Sequence, residues 1–517
     1  MSRFNLIDEK WIPVRFLNGN REELGIQDTL LRAKEIAAIE DPSPLVVASL
    51  HRFLLAVLYR ALEGPTDIDQ AKKCFRDGLP REKIRAYLEK WRDRFWLFDD
   101  KYPFGQVPGF KPKEWKAWSK LAAEHNADNA KVLFDHLDVT NPMPISLPAG
   151  TRWLLAAHTF DLAVAKSEFA QPLDAPSARS VFFIVLGATL HETLCLCLKP
   201  QANHITQGDS ALWEKTPESV EVLRAGPKKS ISGYADLYSW RSRSIALHDL
   251  GGDTISTLGF ASGISKASDV VFIDPMLCYQ ESQTLGLTPL KFREDKDLWR
   301  YFDSVLPGGG NKIPLVLENA ILLCRYDKAR WPIGVLVCGQ KTKSGQAKVD
   351  FWRNTLFVLP RALSSEVDVR SSVQSILAVT EDSGSELRSA LWTFYRFILV
   401  RRQKEKGSSL RKEEVLQIGK MADVAMPLHL YWSTLESRFL ELLSAYTIDC
   451  DVDEIRRQWL ILIRDAVAQS WEQHRSSVST GDAWAIRALV KADGIIRAKL
   501  KELDEEILRF TPAMEEA

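Results

Sequence analysis

The sequence has no excess of charge of either sign. Its 68 Lys and Arg are matched by 68 Asp and Glu over 517 residues. That balance excludes nucleic-acid binding through a globally basic surface, so any such site must be a local patch or be completed by partner subunits. Cysteine is sparse and unpatterned. Seven are scattered at Cys74, Cys195, Cys197, Cys278, Cys324, Cys338 and Cys450, with no Cys-x-x-Cys pair. This argues against a disulfide framework or zinc site and for the reduced thiols of a cytoplasmic protein. The opening MSRFNLIDEKW lacks the apolar core of a secretory signal. No charge-free apolar stretch of about 20 residues occurs, so no membrane span is expected. A Gly-x-x-x-x-Gly-Lys-Ser/Thr phosphate loop and a Gly-x-Ser-x-Gly nucleophile elbow are both absent. Gly308-Gly309-Gly310 opens no helix and reads as a flexible linker. His191-Glu192 lies in an apolar stretch beside Leu190. It reads as a core histidine next to an acid rather than a hydrolase dyad, because no nucleophile or second ligand lies at a fixed spacing from it. These gaps leave no enzyme signature, and neither a cofactor nor a metal is expected.

What is present is a globular chain long enough for two or three domains. Hydrophobic residues make up 45% and charged residues 26%, while 16 Trp and 24 Pro indicate many short, locally pinned segments. Phe4 to Val14 alternates apolar and polar residues, and Asn18-Gly19-Asn20 follows as a turn, which predicts an opening β-hairpin. Asp28 to Ile39 has a helical pattern with Asp28 placed to cap it. Pro42-Ser43-Pro44 then introduces an apolar helix, Leu45 to Leu62, with Leu50, Leu54, Leu58 and Leu62 on a core-facing stripe. Arg81 to Arg94 predicts another helix. Periodicity fades from Lys111 to Pro148, the mark of a long functional or mobile loop. Val181 to Leu198 predicts an apolar helix, Tyr234 to Ile245 a mixed strand and turn, and Val270 to Leu290 a strand–turn–strand.

After Pro360 the composition changes. Prolines and glycines thin out, and four amphipathic patterns follow: Leu387–Arg402, His429–Tyr446, Ile455–Trp471 and Ala483–Leu503. Such helices bury their stripes in one bundle. The expectation is an α+β fold: a large mixed N-terminal domain over 1–364, then a C-terminal four-helix bundle over 365–517. The basic run Arg401 to Lys412 reads as a solvated helix end.

Near the end of the N-terminal domain stands Trp331 to Pro360. An apolar run, Ile333 to Cys338, and a second, Leu356 to Leu359, read as strands. Gly339 to Lys348 between them reads as a loop. Lys341, Lys343 and Lys348 surround a Gly345-Gln346-Ala347 tip. By residue type this is either a solvated hairpin end or a small amide-bearing tip held against a phosphate backbone by flanking cations.

Four blocks in order decide between these. Phe4-Asn5-Leu6-Ile7-Asp8-Glu9-Lys10-Trp11-Ile12-Pro13-Val14 is the first, with Lys10 where the family usually has proline. Ile39-Glu40-Asp41-Pro42-Ser43-Pro44-Leu45, leading to Leu50-His51-Arg52, is the second. Phe98-Asp99-Asp100-Lys101-Tyr102-Pro103-Phe104-Gly105-Gln106-Val107 is the third, and Tyr234 to Arg243, with Trp240 and Arg241, the fourth. With the C-terminal helices and the total length, the chain resembles the large subunit of the type I-E CRISPR surveillance complex, Cascade.

The resemblance implies a non-catalytic subunit that recognises the protospacer-adjacent motif in double-stranded DNA. It implies duplex opening, so that guide CRISPR RNA can pair with the target strand, and recruitment of the helicase–nuclease in antiviral defence. The implied partners are the guide RNA, the target duplex and the backbone, small and handle-binding Cascade subunits. On residues, the resemblance makes the hairpin a wedge with Gln346 at its tip between Gly345 and Ala347, and Lys341, Lys343 and Lys348 on phosphates. Lys291, in Pro289-Leu290-Lys291-Phe292, matches a minor-groove lysine. The family's glycine-rich minor-groove loop falls on Ala163, Val164 and Ala165, in a stretch Asp161 to Lys166 that contains no glycine. The loop near 125–140 matches one that reaches the guide and motif end, with Phe134, Asp135 and His136 in its contact run. There Phe134 either stacks on a base or folds back into a core. The rival readings are a scaffold that docks partners without reading DNA, and a hydrolase built on His191 and Glu192.

Overall fold

The structure, a computed structural model of the chain, describes residues 2–511 except 123–124, 126–134, 164–167, 171–172, 268–271, 285, 309, 326–330, 343–348, 405–409 and 480. Strand β1 (Ile12–Phe16) pairs antiparallel with β2 (Arg21–Leu24), from Ile12 opposite Leu24 to Arg15 opposite Arg21. The Asn18-Gly19-Asn20 turn closes this hairpin. Gly19 takes φ 88°, and Asn18 Oδ1 accepts from Asn20 N at 3.0 Å, the side-chain turn that asparagine favours. The strand that begins the chain, Arg3–Asn5, does not belong to this hairpin; it pairs with Trp96–Phe98. The helix expected over Asp28–Ile39 is also corrected. Only Ile26–Leu31 is helical, with Gly25 rather than Asp28 at its N-cap. Ile36–Ile39 forms β3 on the free edge of β1, where its two isoleucines are buried.

Helix α1 (Pro44–Leu62) starts at Ser43, whose hydroxyl accepts from Val46 N at 3.3 Å, with proline in the first turn. By length and apolar composition it could cross a membrane, but 89% of that window is buried inside the fold. It is the core helix of its unit. Its Arg52 is neutralised by Asp274 at 2.8 Å and lies over the Tyr238 ring. Helix α2 (Leu147–Phe160) packs along α1. The single helix expected over Val181–Leu198 is instead a strand and a helix, β4 (Val181–Leu186) and α3 (Leu190–Cys197). A continuous apolar run fits a strand covered on both faces as well as a buried helix. Gly187 and the Thr189 cap separate the two; a Cβ on Gly187 would meet Glu192 Cβ at 2.2 Å.

The Tyr234–Ile245 stretch holds a short helix, Tyr234–Tyr238, before β5 (Arg243–Leu247), which pairs with β6 (Thr257–Ser262). Then β7 (Tyr279–Ser282) and β8 (Gly286–Pro289) form the expected hairpin. The last strands are β9 (Ile333–Thr342) and β10 (Val349–Leu359), which with β4 make a three-stranded sheet centred on β9.

The remaining helices are α4 (Val367–Lys404), α5 (Lys412–Asp423), α6 (Met426–Ala445), α7 (Val452–Ser477) and α8 (Ala483–Arg509). They pack as a helical bundle: α4 lies against α7 and α8, and α6 against α7. Helix α5 was not expected. Only Ile418 and Ala422 of it are buried, too thin a stripe to read from sequence. The chain forms two compact units, Met1–Glu294 with Gly310–Phe357, and Asp295–Gly309 with Val358–Ala517. Segment 295–309 joins the bundle through Trp299 and Phe302, both ring-packed on Phe439 at 5.1 and 5.3 Å. None of the seven cysteines forms a disulfide.

Candidate nucleic-acid interface

The β9–β10 hairpin is longer than its apolar ends alone imply. β9 runs to Thr342 and β10 starts at Val349, so Gly339 to Thr342 are strand rather than loop. Along β10 the burial alternates, half-buried against exposed, through its first eight residues, the period of a strand with one wet face. β4 pairs with β9 only as far as Val181 opposite Gly339. Gln340, Lys341 and Thr342 extend past that last pair.

Three sets of contacts hold this projecting root. Gln340 is buried, and its amide nitrogen donates to Phe160 O at the end of α2 and to Ala178 O. Thr342 Oγ1 accepts from Arg179 Nη1 at 2.5 Å. Arg179 in turn pairs with Asp174, whose other oxygen accepts from Ala163 N at 2.8 Å. Burial works against the ionised Asp174, but the bonds from Arg179 and Ala163 N and the charge of Arg179 outweigh it and hold the carboxyl below its usual range. On the other strand, Val349 packs on Leu162, Ala175 and Ala178. Both strands of the hairpin are thus fastened to the segment that carries Ala163.

Lys291 reaches the same end by another route. Leu290 O accepts from Val181 N at 3.0 Å, opposite Gly339. The Phe292 ring lies against Gly339, where an added Cβ would meet it at 3.3 Å and Ser180 O at 2.7 Å. Lys291 stands exposed between these two buried anchors. The structure therefore brings Lys291, Ala163 and the hairpin root, with half-buried Lys341, to one end of the β4–β9 sheet.

Asp135 and His136 are not in this cluster. Asp135 faces His125 Nδ1 at 3.5 Å, and the His125 ring sits edge-on to Trp118 and to Trp153 of α2. Trp153 lies about 10 Å along α2 from Phe160 at 1.5 Å per residue. His136 is exposed. Gly345, Gln346, Ala347, Lys343, Lys348, Phe134, Val164 and Ala165 lie outside the described residues.

Sequence reasoning missed the anchors, Gln340, Thr342, Arg179 and Asp174. A polar Gln340 directly following an apolar strand was the one available signal. His191 and Glu192 do not form an acid–base pair aimed at a common site. His191 donates from Nε2 to Phe75 O at 3.2 Å, whereas the Glu192 carboxylate accepts from Ala188 N at 2.9 Å across the start of α3.

Residues 5–470 match the family model described as CRISPR-associated protein Cse1. The chain is similar to the CRISPR-associated protein CasA/Cse1 of Thermus thermophilus, with 32% identity over 98% of this chain and 99% of that protein. A solved structure of Thermus thermophilus CasA (Cse1) superposes with a TM-score of 0.81 at 29% identity, over 97% of this chain and 100% of that one. A chain in the structure of a CRISPR RNA-guided surveillance complex superposes with a TM-score of 0.76 at 19% identity, over 97% and 100%.

Proposed function

Because the chain belongs to the CRISPR-associated Cse1 family, we propose that it is the non-catalytic large subunit of a type I-E Cascade complex. In this reading it recognises the protospacer-adjacent motif in duplex DNA, opens the duplex for pairing with the guide CRISPR RNA, and helps recruit the helicase–nuclease. Its partners are the guide, the target duplex and the other Cascade subunits. Likeness of fold to a chain of an RNA-guided surveillance complex supports the assembly.

The observation that carries the motif reading is the convergence at the hairpin root. A wedge works only if its base resists the force of opening. Here the base is tied on both strands to the Ala163 segment and, through Gly339, to the turn that carries Lys291. In this reading Gly345, Gln346 and Ala347 supply the wedge tip, two small residues flanking one amide able to bond a base edge. Minor-groove reading asks for few and small side chains, because that groove offers a degenerate pattern of acceptors. The neutral chain is compatible with it.

The test is Gln346→Ala in the guide-loaded complex, measured against two targets: an intact motif-bearing duplex, and the same duplex mismatched beside the motif. Separating the first base pair costs a few kcal/mol. The variant is therefore expected to bind the intact target at least tenfold more weakly and the mismatched target nearly as well as wild type. Equal impairment on both would remove duplex opening from this residue. Unaltered binding to both would favour a scaffold that does not read DNA.

A further inference from the structure

A cavity of about 320 Å³ opens beside the β7–β8 hairpin. That lies within the range of small-ligand sites and gives room for one nucleobase with its sugar. Its wall combines two aromatic rings, Phe272 and Tyr279, with Leu287 and Pro289 of β8 and two charged groups, Lys266 and Asp274. The Asp274 carboxylate is already committed. It accepts from Arg52 at 2.8 Å, from Ser177 Oγ at 3.0 Å and from Met276 N at 3.0 Å. With Arg52 and Asp274 paired, Lys266 is the other charged side chain among the described residues that line the wall.

The Lys266 side chain is half-buried and forms no ion pair or hydrogen bond among the described residues. Burial lowers its pKa, and the more distant Asp274 charge offsets this only in part. An ammonium in that position is stabilised by an incoming anion. On the paired strand, Lys229 stands opposite Lys266 and is held by Glu218, while exposed Lys228 stands opposite Ser265. On the opposite rim, Pro289 is followed two residues later by exposed Lys291. Apolar walls inside, with Lys266 in the wall and Lys291 at the rim, match a base flanked by phosphates.

We propose that this cavity holds one unstacked nucleobase of a single DNA strand, against Phe272 and Tyr279, with a neighbouring phosphate on Lys266. It would capture a nucleotide freed where the duplex opens near Lys291. The inference rests on the motif-opening function for the source of that strand, but strand capture itself is measurable without a duplex.

The probe is a single-stranded oligothymidylate carrying one 4-thiothymidine, added to the full-length chain without guide RNA. Near-ultraviolet crosslinking with peptide mapping is expected to label Phe272 or Tyr279. Phe272→Ala and Lys266→Ala are each expected to weaken strand binding about tenfold. Leu287→Trp fills the cavity from its wall and leaves both of those side chains in place. It is expected to weaken binding as much without lowering the melting temperature, and it carries the test if Phe272→Ala fails to fold. Crosslinks confined to other segments, or unchanged binding by folded Leu287→Trp, would overturn the proposal. No motif or duplex enters this experiment. A negative result here with Gln346→Ala behaving as expected removes only the cavity, and the reverse removes only the opening role.

Discussion

Gln340 is 1% exposed and binds two backbone carbonyls through a single amide nitrogen, while its Oε1 has no partner among the described residues. Removing that nitrogen strands Phe160 O and Ala178 O without their donor. Gln340→Ala is expected to destabilise the fold by about 2–6 kcal/mol, from one to three for each of the two buried groups left unsatisfied. Gln340→Glu gives a sharper result. An ionised carboxylate would face two carbonyl oxygens in a buried site, so its folded pKa must rise above the ordinary glutamate value. A group with a raised folded pKa is least harmful below its unfolded pKa, and stability is lost as pH rises through the folded value. The melting-temperature gap between Gln340→Glu and wild type should therefore be narrower near pH 4 than near pH 8. An equal gap at both would mean that the side chain turns out of this site. The anchors were not legible in the sequence because no local spacing encodes them. Gln340 meets Phe160 across 180 positions, and Thr342 meets Arg179 across 163. Lys291 and Ala163 were reachable only because a family resemblance carried them. Composition and periodicity single out neither.

Elements were legible where one periodicity dominated and misread where two competed. The stripes of α6, α7 and α8 each bury one face, whereas α1 is buried on all sides, and each appears as a helix. Val181 to Leu186 is apolar at every position, so its period is undefined, and only its pairing with β9 makes it a strand. Ile36–Ile39 is helical by its flanks and becomes β3 because β1 offers a free edge. In the bundle, glycine makes the opposite point. Gly384 sits inside α4, where glycine normally costs about 1 kcal/mol against alanine. Here a Cβ would meet Trp432 Cζ2 at 2.3 Å and Tyr431 Cε1 at 3.1 Å. The rings of α6 thus approach the α4 backbone more closely than any larger residue permits. Gly384→Ala is expected to destabilise the bundle by up to about 2 kcal/mol net, the overpacking cost of about 1–3 kcal/mol less the helix gain of about 1. Gly494 in α8 has nothing within 4 Å of the same position, so Gly494→Ala should stabilise by roughly 0.5–1 kcal/mol. Thermal unfolding of the two variants should move in opposite directions. A rise for Gly384→Ala would mean that Trp432 shifts at no cost.

At the scale of the molecule, zero net charge and family membership must be reconciled with a duplex-binding task. Total charge was fully legible and informative only as an exclusion, since it says nothing of where cations gather. The structure gathers Lys291 and Lys341 at one end of the β4–β9 sheet, and places Lys266 in the wall of the neighbouring cavity. In the proposed function, Lys341, Lys343 and Lys348 flank the wedge tip and contact phosphates rather than bases. Phosphate contacts carry no sequence information, so their loss should weaken motif-bearing and motif-free duplexes alike. Each phosphate neutralised steepens the fall of log K with log salt concentration by about 0.9. Replacing all three lysines with alanine in the guide-loaded complex should therefore flatten that slope by up to about 2.7. Gln346→Ala acts through an uncharged amide and should leave the slope unchanged while lowering affinity for the intact motif duplex. Lys291→Ala separates the two kinds of contact. As a groove-reading residue it should alter the order of preference across a motif library as well as the slope; as a phosphate contact it should shift the slope by about 0.9 and preserve that order. Titrations across a salt series on a motif library read both quantities at once. A triple lysine variant that changes motif preference without changing the slope would reverse the assignment of these side chains.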